Sequence, residues 1–235
     1  MFQSNPRSVL VTLSFVLISV TLSAQEGGWI DLFDGKTLDR WSVHSGYAKY
    51  RVEDGAIVGT AVKGSPNTFL CTDRSFGDFI LEFEVWLVDP ELNSGVQFRS
   101  LIAKQETVFW FRNDDCILQP TTIPADRVYG YQVEIAGEAE GSSGGVYDEA
   151  RRAMMDNWWL KEGSEASKAF KDNQWNKYRI ECKGDSIRTL VNGVVCAEFR
   201  DGLNFNGIIG LQVHDVGQNP APLEVKWRNI RIKLL

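Results

Sequence analysis

His214, in Gly210-Leu-Gln-Val-His214, and Glu134, in Gly130-Tyr-Gln-Val-Glu134, are among the side chains of this 235-residue chain with the chemistry to move a proton near neutral pH. A neutral imidazole is the natural base at that pH, and a carboxylate serves as a base or binds hydroxyls. Both residues close a short alternation of apolar and polar positions. Successive side chains of a strand point to opposite faces, so Gln212 and His214 stand opposite Leu211 and Val213. The same sorting sets Gln132 and Glu134 opposite Val133 and Ile135, and Gln97 and Arg99 opposite Val96 and Phe98. It sets Glu82, Glu84 and Trp86 opposite Leu81, Phe83 and Val85. Amides and arginine make directional bonds to hydroxyls, and an indole stacks on the apolar face of a sugar ring. The polar set has the composition of a sugar-recognition platform. A merely solvated sheet face is the other account, and residue type alone leaves both open. The sorting holds only where no bulge interrupts the alternation.

The elements that must carry these residues read as strands. Candidates are Tyr50–Val52, Ala56–Gly59, Phe69–Cys71, Phe79–Leu87, Gly95–Ser100, Tyr131–Ile135, Trp175–Lys183, Ser186–Val191, Val194–Phe199, Gly207–His214 and Glu224–Lys233. Asp54-Gly55, Gly184-Asp185 and Asn192-Gly193 supply the positive-φ residues that two-residue hairpins need. Many short strands joined by tight turns predict an all-β antiparallel sandwich rather than alternating βα units. The stretch 149–170, with Ala-Arg-Arg-Ala-Met-Met and Glu-Ala-Ser-Lys-Ala-Phe, reads as short helices or an insertion loop carrying Trp158 and Trp159. A single domain over 27–235 is the simplest organisation.

Residues 1–24 differ from the rest. Arg7 precedes an apolar run, Val9 to Leu22, and Leu22-Ser23-Ala24 offers a small residue for cleavage, the layout of a secretory signal peptide. The run is too short to span a bilayer, so the expected location is periplasmic or secreted, with no membrane association after cleavage. A formal charge of −6 and a pI near 5.1, without a Lys/Arg block, exclude nucleic acid as a natural partner. With only His44 and His214, composition argues against a multi-histidine metal centre. No metal or cofactor is predicted, although a structural Ca²⁺ on loop carboxylates is compatible with sandwich folds. Cys71, Cys116, Cys182 and Cys196 contain no Cys-x-x-Cys, and buried free thiols are expected.

Longer motifs carry a resemblance. Gly28-Trp-Ile-Asp-Leu-Phe-Asp-Gly-Lys-Thr-Leu-Asp-Arg-Trp41 is similar to the opening motif of the 3-keto-disaccharide hydrolase domain family. The likeness continues through Arg51-Val-Glu-Asp-Gly-Ala-Ile-Val58, Gly77-Asp-Phe-Ile-Leu-Glu-Phe-Glu84 and Asn93-Ser-Gly-Val-Gln-Phe-Arg99. It runs on through Gly130 to Glu134, Ser143-Gly-Gly-Val-Tyr-Asp148, Trp175-Asn-Lys-Tyr178, Asn192-Gly193, Gly210 to His214 and the closing Trp227-Arg-Asn-Ile-Arg-Ile-Lys233. One departure is Asp215-Val216 after His214, where many relatives have a glycine-containing sequel.

The resemblance implies a concanavalin A-like jelly-roll of two antiparallel sheets with its ligand on the concave face, and a role in oligosaccharide breakdown. It also implies substrates whose C3 hydroxyl has become a ketone. Such a ketone acidifies the hydrogen on C2, so a base forms an enolate that expels the C1 substituent, and water adds to the enone. This needs a base at C2, donors for the enolate oxygen and an acid for the departing oxygen. The expected catalytic pair is Glu134 and His214. Expected substrate-binding residues are Glu84, Asn93, Gln97, Arg99, Tyr131, Gln132, Tyr147, Asp148, Arg151 and Gln212, and the partner is an oligosaccharide or 3-keto-glycoside. A non-catalytic carbohydrate-binding module and an ordinary two-carboxylate glycosidase are the alternatives, and oligomeric state is not legible.

Overall fold

The structure, a computed structural model, describes residues 28–112, 117–154, 158–219 and 222–235; the expected signal segment and Cys116 lie outside them. Seventeen strands, numbered along the chain, form two large antiparallel sheets and one separate hairpin among the described residues. One sheet runs β15 (Val194–Arg200), β14 (Ser186–Val191), β13 (Asn176–Lys183), β6 (Phe79–Leu87), β17 (Glu224–Leu234), β4 (Ala56–Thr60) and β3 (Lys49–Glu53), with β1 (Trp29–Asp31) also on β17. The second runs β12 (Ala153–Met154), β11 (Val146–Glu149), β10 (Val128–Ile135), β7 (Ser94–Ile102), β16 (Ile208–Val213), β5 (Thr68–Thr72) and β2 (Trp41–His44). The hairpin pairs β8 (Thr107–Arg112) with β9 (Leu118–Ile123).

Each expected strand is present. The Asn192-Gly193 turn between β14 and β15 has φ values of 50° and 87°, the left-handed pair whose twist matches the flanking strands. Leu81, Phe83 and Val85 of β6 and Trp227 and Ile232 of β17 meet Val96 and Phe98 of β7, Val133 and Ile135 of β10, and Leu211 and Val213 of β16 in one buried core. The apolar half of the alternation is therefore the inter-sheet core. Where short helices were expected over 149–170, the described residues hold β12 and a 3-10 turn at Ala166–Lys168. Cys71 and Cys182 are buried free thiols and Cys196 is half-buried and free. No helix among the described residues is long and apolar enough to cross a membrane.

Two features depart from simple alternation and shape the outer face of the second sheet. First, β6 belongs to the other sheet, so Glu82, Glu84 and Trp86 point away from the polar faces of β7, β10 and β16. Second, β7 is bulged. Gln97 pairs with Gly210 and Ser100 with Ile208, so Phe98 and Arg99 together oppose Ile209, and Arg99 takes φ 47°.

Beyond the bulge the β7–β10 ladder folds across the outer face. Val128 N donates to Ser45 Oγ at the end of β2 (2.8 Å), and Val128 and Ile102 pack on Phe69, Cys71 and Ile208 in a second small core. The excursion 103–127 that holds the β8–β9 hairpin is closed at its neck: Ala103 N donates to Arg127 O (3.0 Å) and Asp126 N to Ala103 O (2.7 Å). His44 Nδ1 donates to Asp126 Oδ1 (2.6 Å), and Ser45 N donates to Oδ2 (3.1 Å), fixing that neck to the far edge of the sheet.

Candidate functional site

The uncovered part of the second sheet's outer face carries a row of aligned positions. Glu134 on β10 and Gln212 on β16 both register on Gly95 of β7, so they stand two strand spacings, roughly 10 Å, apart. Two residues along, on the same face, Gln132 registers on Gln97, and Gln97 on Gly210. Gly95 is required by close approach: a Cβ there would lie 2.5 Å from Gln132 Cδ. Without it, the Gln132 side chain lies across β7, where its Oε1 accepts from Gln97 Nε2 (2.8 Å) and its Nε2 donates to Glu134 Oε2 (3.3 Å). Asn93 Nδ2 donates to the other Glu134 oxygen.

Glu134 is 6% exposed. Burial pushes its carboxyl up to about 8, against the opposing pull of the Asn93 and Gln132 amides. It is consequently a carboxylic acid, a donor, over most of the neutral range. His214, half-buried just beyond β16, donates from Nδ1 to the Asp215 carbonyl (2.8 Å). A carbonyl only accepts, so Nδ1 carries a proton in this bond, and the lone pair of the neutral ring is then on Nε2. The cavity thus joins a carboxyl held protonated by burial to an imidazole whose Nδ1 is anchored on the backbone.

These residues line a cavity of about 440 Å³ with Asn67, Asn93, Arg127, Gln132, Tyr147, Glu149, Ala150, Trp159 and Gln212. Tyr147 on β11 registers on Gln132 and Glu149 on Gly130, so both stand on the outer face. Burial raises the Glu149 carboxyl and the Arg127 guanidinium paired with it pulls the other way, leaving it raised. Trp159 supplies an aromatic wall, within van der Waals reach of Gly145.

Four buried polar atoms at this floor have no protein partner among the described residues: Asn93 Oδ1, Gln97 Oε1, and both Oε1 and Nε2 of Gln212. Burying amides without partners costs on the order of 1–3 kcal/mol each. A floor that carries this cost in one place is arranged to hydrogen-bond something polar that enters. No group of three His, Cys, Asp or Glu able to hold a metal ion occurs among the described residues.

Of the residues expected from sequence, Glu134, His214, Asn93, Gln132, Tyr147 and Gln212 converge on this cavity, and Gln97 lies in the floor bonded to Gln132. Five do not. Glu84 is on the other sheet, paired with Arg228 (2.7 Å). The bulge carries Arg99 to the facing sheet's edge, where it donates to Gly77 O (2.9 Å), Gly184 O (2.7 Å) and Asp78 Oδ1 (2.7 Å). Tyr131 faces the core, stacked on Phe98 with its hydroxyl on Asp201. Asp148 is fully buried under Arg151, with bonds of 2.8–3.1 Å, and Arg151 continues to Asn204 (3.1 Å).

Of the two tryptophans in the insertion, Trp158 pins the chain against Phe199 (4.3 Å between centroids), and Trp159 reaches the cavity. Sequence reasoning missed Asn67, Arg127, Glu149 and Ala150. Glu149 had a signal: recognising 146–149 as a strand makes Tyr147 and Glu149 alternate outward and Asp148 inward.

Residues 28–233 match the family model described as the 3-keto-alpha-glucoside-1,2-lyase-like domain. No curated protein matches this sequence. Among solved structures, a candidate glycosyl hydrolase from Parabacteroides distasonis is similar at 18% identity and TM-score 0.55, over 88% of this chain and 94% of that one. The Bacillus licheniformis beta-glucanase is similar at 13% identity and TM-score 0.52, over 89% and 99%. A Bacillus subtilis protein of unknown function with a galectin-like fold is similar at 10% identity and TM-score 0.55, over 83% and 90%. At these identities the likeness is one of fold, and it embraces both hydrolase and lectin-type architectures.

Proposed function

Since the chain belongs to the 3-keto-alpha-glucoside-1,2-lyase-like family, a carbohydrate-active domain, we propose that it cleaves glycosides oxidised at C3, outside the cytoplasm, by proton abstraction at C2. The sugar lies on the amide floor of Gln132, Gln212 and Asn93 with Trp159 at its side. The C3 ketone accepts a hydrogen bond from protonated Glu134. Nε2 of His214 removes the C2 proton, and the C2–H electron pair forms the enolate, whose negative oxygen Glu134 stabilises. The enolate collapses to restore the ketone, a C1–C2 double bond forms, and the C1–O1 bond breaks. The imidazolium returns its proton to the departing oxygen. Water adds at C1 of the enone in the hydrolytic outcome, with a proton restored at C2.

The observation that carries this reading is the buried, raised Glu134 carboxyl in one cavity with the Nδ1-anchored His214 ring, beside unpartnered amides. A carboxylic acid kept neutral by burial is suited to donating to an enolate oxygen. A specific observation supports a second reading: Glu134 and Glu149 are two buried carboxyls in one cavity, the requirement of an ordinary glycosidase. Glu149 is engaged by Arg127, which makes it the weaker acid–base partner.

Purified protein incubated with 3-keto-trehalose and with trehalose separates the two readings. Glucose released from the keto sugar alone upholds C2 abstraction. Release from unoxidised trehalose assigns the two-carboxylate reaction, and binding of either sugar without cleavage assigns a recognition module.

A further inference from the structure

The edge of the second sheet carries a side-chain relay that the reaction above does not use. Ser42 and His44 stand two residues apart on β2, so they share its outer face, while Trp41 packs toward the core. Ser42 Oγ donates to His44 Nε2 (2.9 Å), and His44 Nδ1 donates to Asp126 Oδ1 (2.6 Å). A hydroxyl on one ring nitrogen and a carboxylate on the other is the arrangement that activates a serine as a nucleophile. None of the three residues lines the cavity of Glu134 and His214.

Anchoring of the neck accounts for only half of this relay. The anchor uses Nδ1 and Asp126; it has no need of a hydroxyl on Nε2, and Ser42 is exposed. The carboxylate is also fixed from its other side. Its Oδ2 accepts from Ser45 N (3.1 Å), and the Asp126 carbonyl accepts from Ser45 Oγ (3.3 Å). Ser45 and Asp126 both take left-handed φ values, 72° and 64°. That conformation costs a residue with a side chain on the order of 1–3 kcal/mol, and such strain collects where a fold positions chemistry. Burial pushes the Asp126 carboxyl up, but the bonds from His44 and Ser45 outweigh it and hold it below the ordinary carboxylate range.

The backbone supplies the remaining part. β2 is the terminal strand of its sheet, and the N–H groups along a strand alternate in direction. Trp41 N donates to Leu38 O and Ser45 N to Asp126, both away from the partner strand β5. Val43, midway between them, therefore points its N–H off the open edge, next in the chain to the Ser42 hydroxyl.

We propose that Ser42, His44 and Asp126 form a second reactive centre, one that hydrolyses short carboxylic esters. Oγ attacks the ester carbonyl carbon while Nε2 takes its proton, and the carbonyl π pair moves onto the oxygen beside Val43 N–H. The pair returns, the bond to the alcohol oxygen breaks, and the imidazolium protonates the departing alkoxide. Water then attacks the acyl-serine with the ring again as base, releasing the carboxylic acid and restoring Ser42. Ser42 and Val43 are exposed, so the acyl group meets an open edge, which suits a short chain such as acetate. The centre is independent of the chemistry at Glu134 and His214.

The test labels the nucleophile and measures its turnover. The whole chain is treated with a fluorophosphonate, which phosphonylates activated serines, and the modified residue is located by mass spectrometry. Hydrolysis of 4-nitrophenyl acetate and melting temperature are measured for the parent, Ser42→Ala and Asp126→Asn. Ser42→Ala removes one exposed hydroxyl and keeps the His44–Asp126 anchor, so its melting temperature stays close to the parent's. The expected result is an adduct on Ser42, ester turnover lower by roughly 10²-fold or more in Ser42→Ala, and a smaller loss in Asp126→Asn.

An unlabelled Ser42, or ester turnover that survives Ser42→Ala, overturns the centre and leaves His44 and Asp126 as an anchor alone. Labelling of Ser42 in Asp126→Asn at the parental rate overturns the relay as well.

Discussion

Both sheets carry glutamates on their outer faces, and they differ in how those carboxyls are answered. On the larger sheet Glu82 is met by Arg231 (2.6 Å), Arg179 (2.8 Å) and Lys177 (3.5 Å), and Glu84 by Arg228. Burial raises both carboxyls, but the guanidinium bonds outweigh it and hold them below the usual carboxylate range. A cavity of about 440 Å³ opens there too, floored by these satisfied ion pairs. On the second sheet Glu134 meets only amides, its carboxyl is raised, and neighbouring amide atoms lack protein partners. Carboxylates closed by cations hold a surface together, whereas a carboxyl left with neutral donors retains a proton to use.

The largest expected effect is at His214. His214→Asn removes the base, and turnover of a 3-keto-glycoside falls by about 10²–10⁴-fold with the melting temperature little changed. Retained activity in a folded variant would remove the second face's claim to chemistry.

Glu134 gives the next effect and fixes its own role. With its carboxyl at about 8, kcat/KM declines above that pH as the donor is lost. Glu134→Gln keeps an N–H donor, so it loses roughly 10–100-fold and its alkaline decline disappears. A parent rate that instead climbs through pH 8 would make Glu134 the base. Stability carries the same signature: because the folded value lies above the ordinary 4.5, the parent loses stability as pH rises between 4.5 and about 8. Above that window Glu134→Gln is more stable than the parent, by an amount on the order of a few kcal/mol, read from denaturant midpoints.

The smallest effects set the two faces side by side. Gln212→Leu discards amide atoms with no protein partner, so it raises KM about tenfold while leaving stability equal or higher. Glu82→Gln removes the carboxylate that three cations share, leaving Arg179 its pair with Glu181, so it lowers stability by about 1–2 kcal/mol and leaves kcat/KM unchanged. Matching responses from the two variants would erase the distinction.

The sandwich was legible because most strands are long enough for alternation and turn residues to speak. The strands that were not legible, β1, β2, β11 and β12, have two to four residues, too few for a period to register. The β8–β9 hairpin hid behind an unbroken aromatic run, Val108-Phe-Trp-Phe111. The site was legible wherever alternation ran unbroken, at Gln132, Glu134, Gln212 and His214. It failed at Arg99, where one inserted residue redirects the side chain, and at Glu84, because a strand's sequence states which residues share a face but not which sheet the strand joins. Arg127 and Asn67 reach the cavity from connections, where no period exists to read.

The stitched neck at Ala103 and Arg127 has a practical corollary. The β8–β9 hairpin is carried beyond that closed neck, so it behaves as a cartridge clipped onto a finished socket. Val108, Trp110 and Leu118 on that cartridge are exposed, and it can be trimmed, or exchanged for a foreign loop of matching ends, without re-cutting the floor beneath. For protein engineering this is a grafting point, where new recognition can be added next to a cavity whose parts are fastened elsewhere.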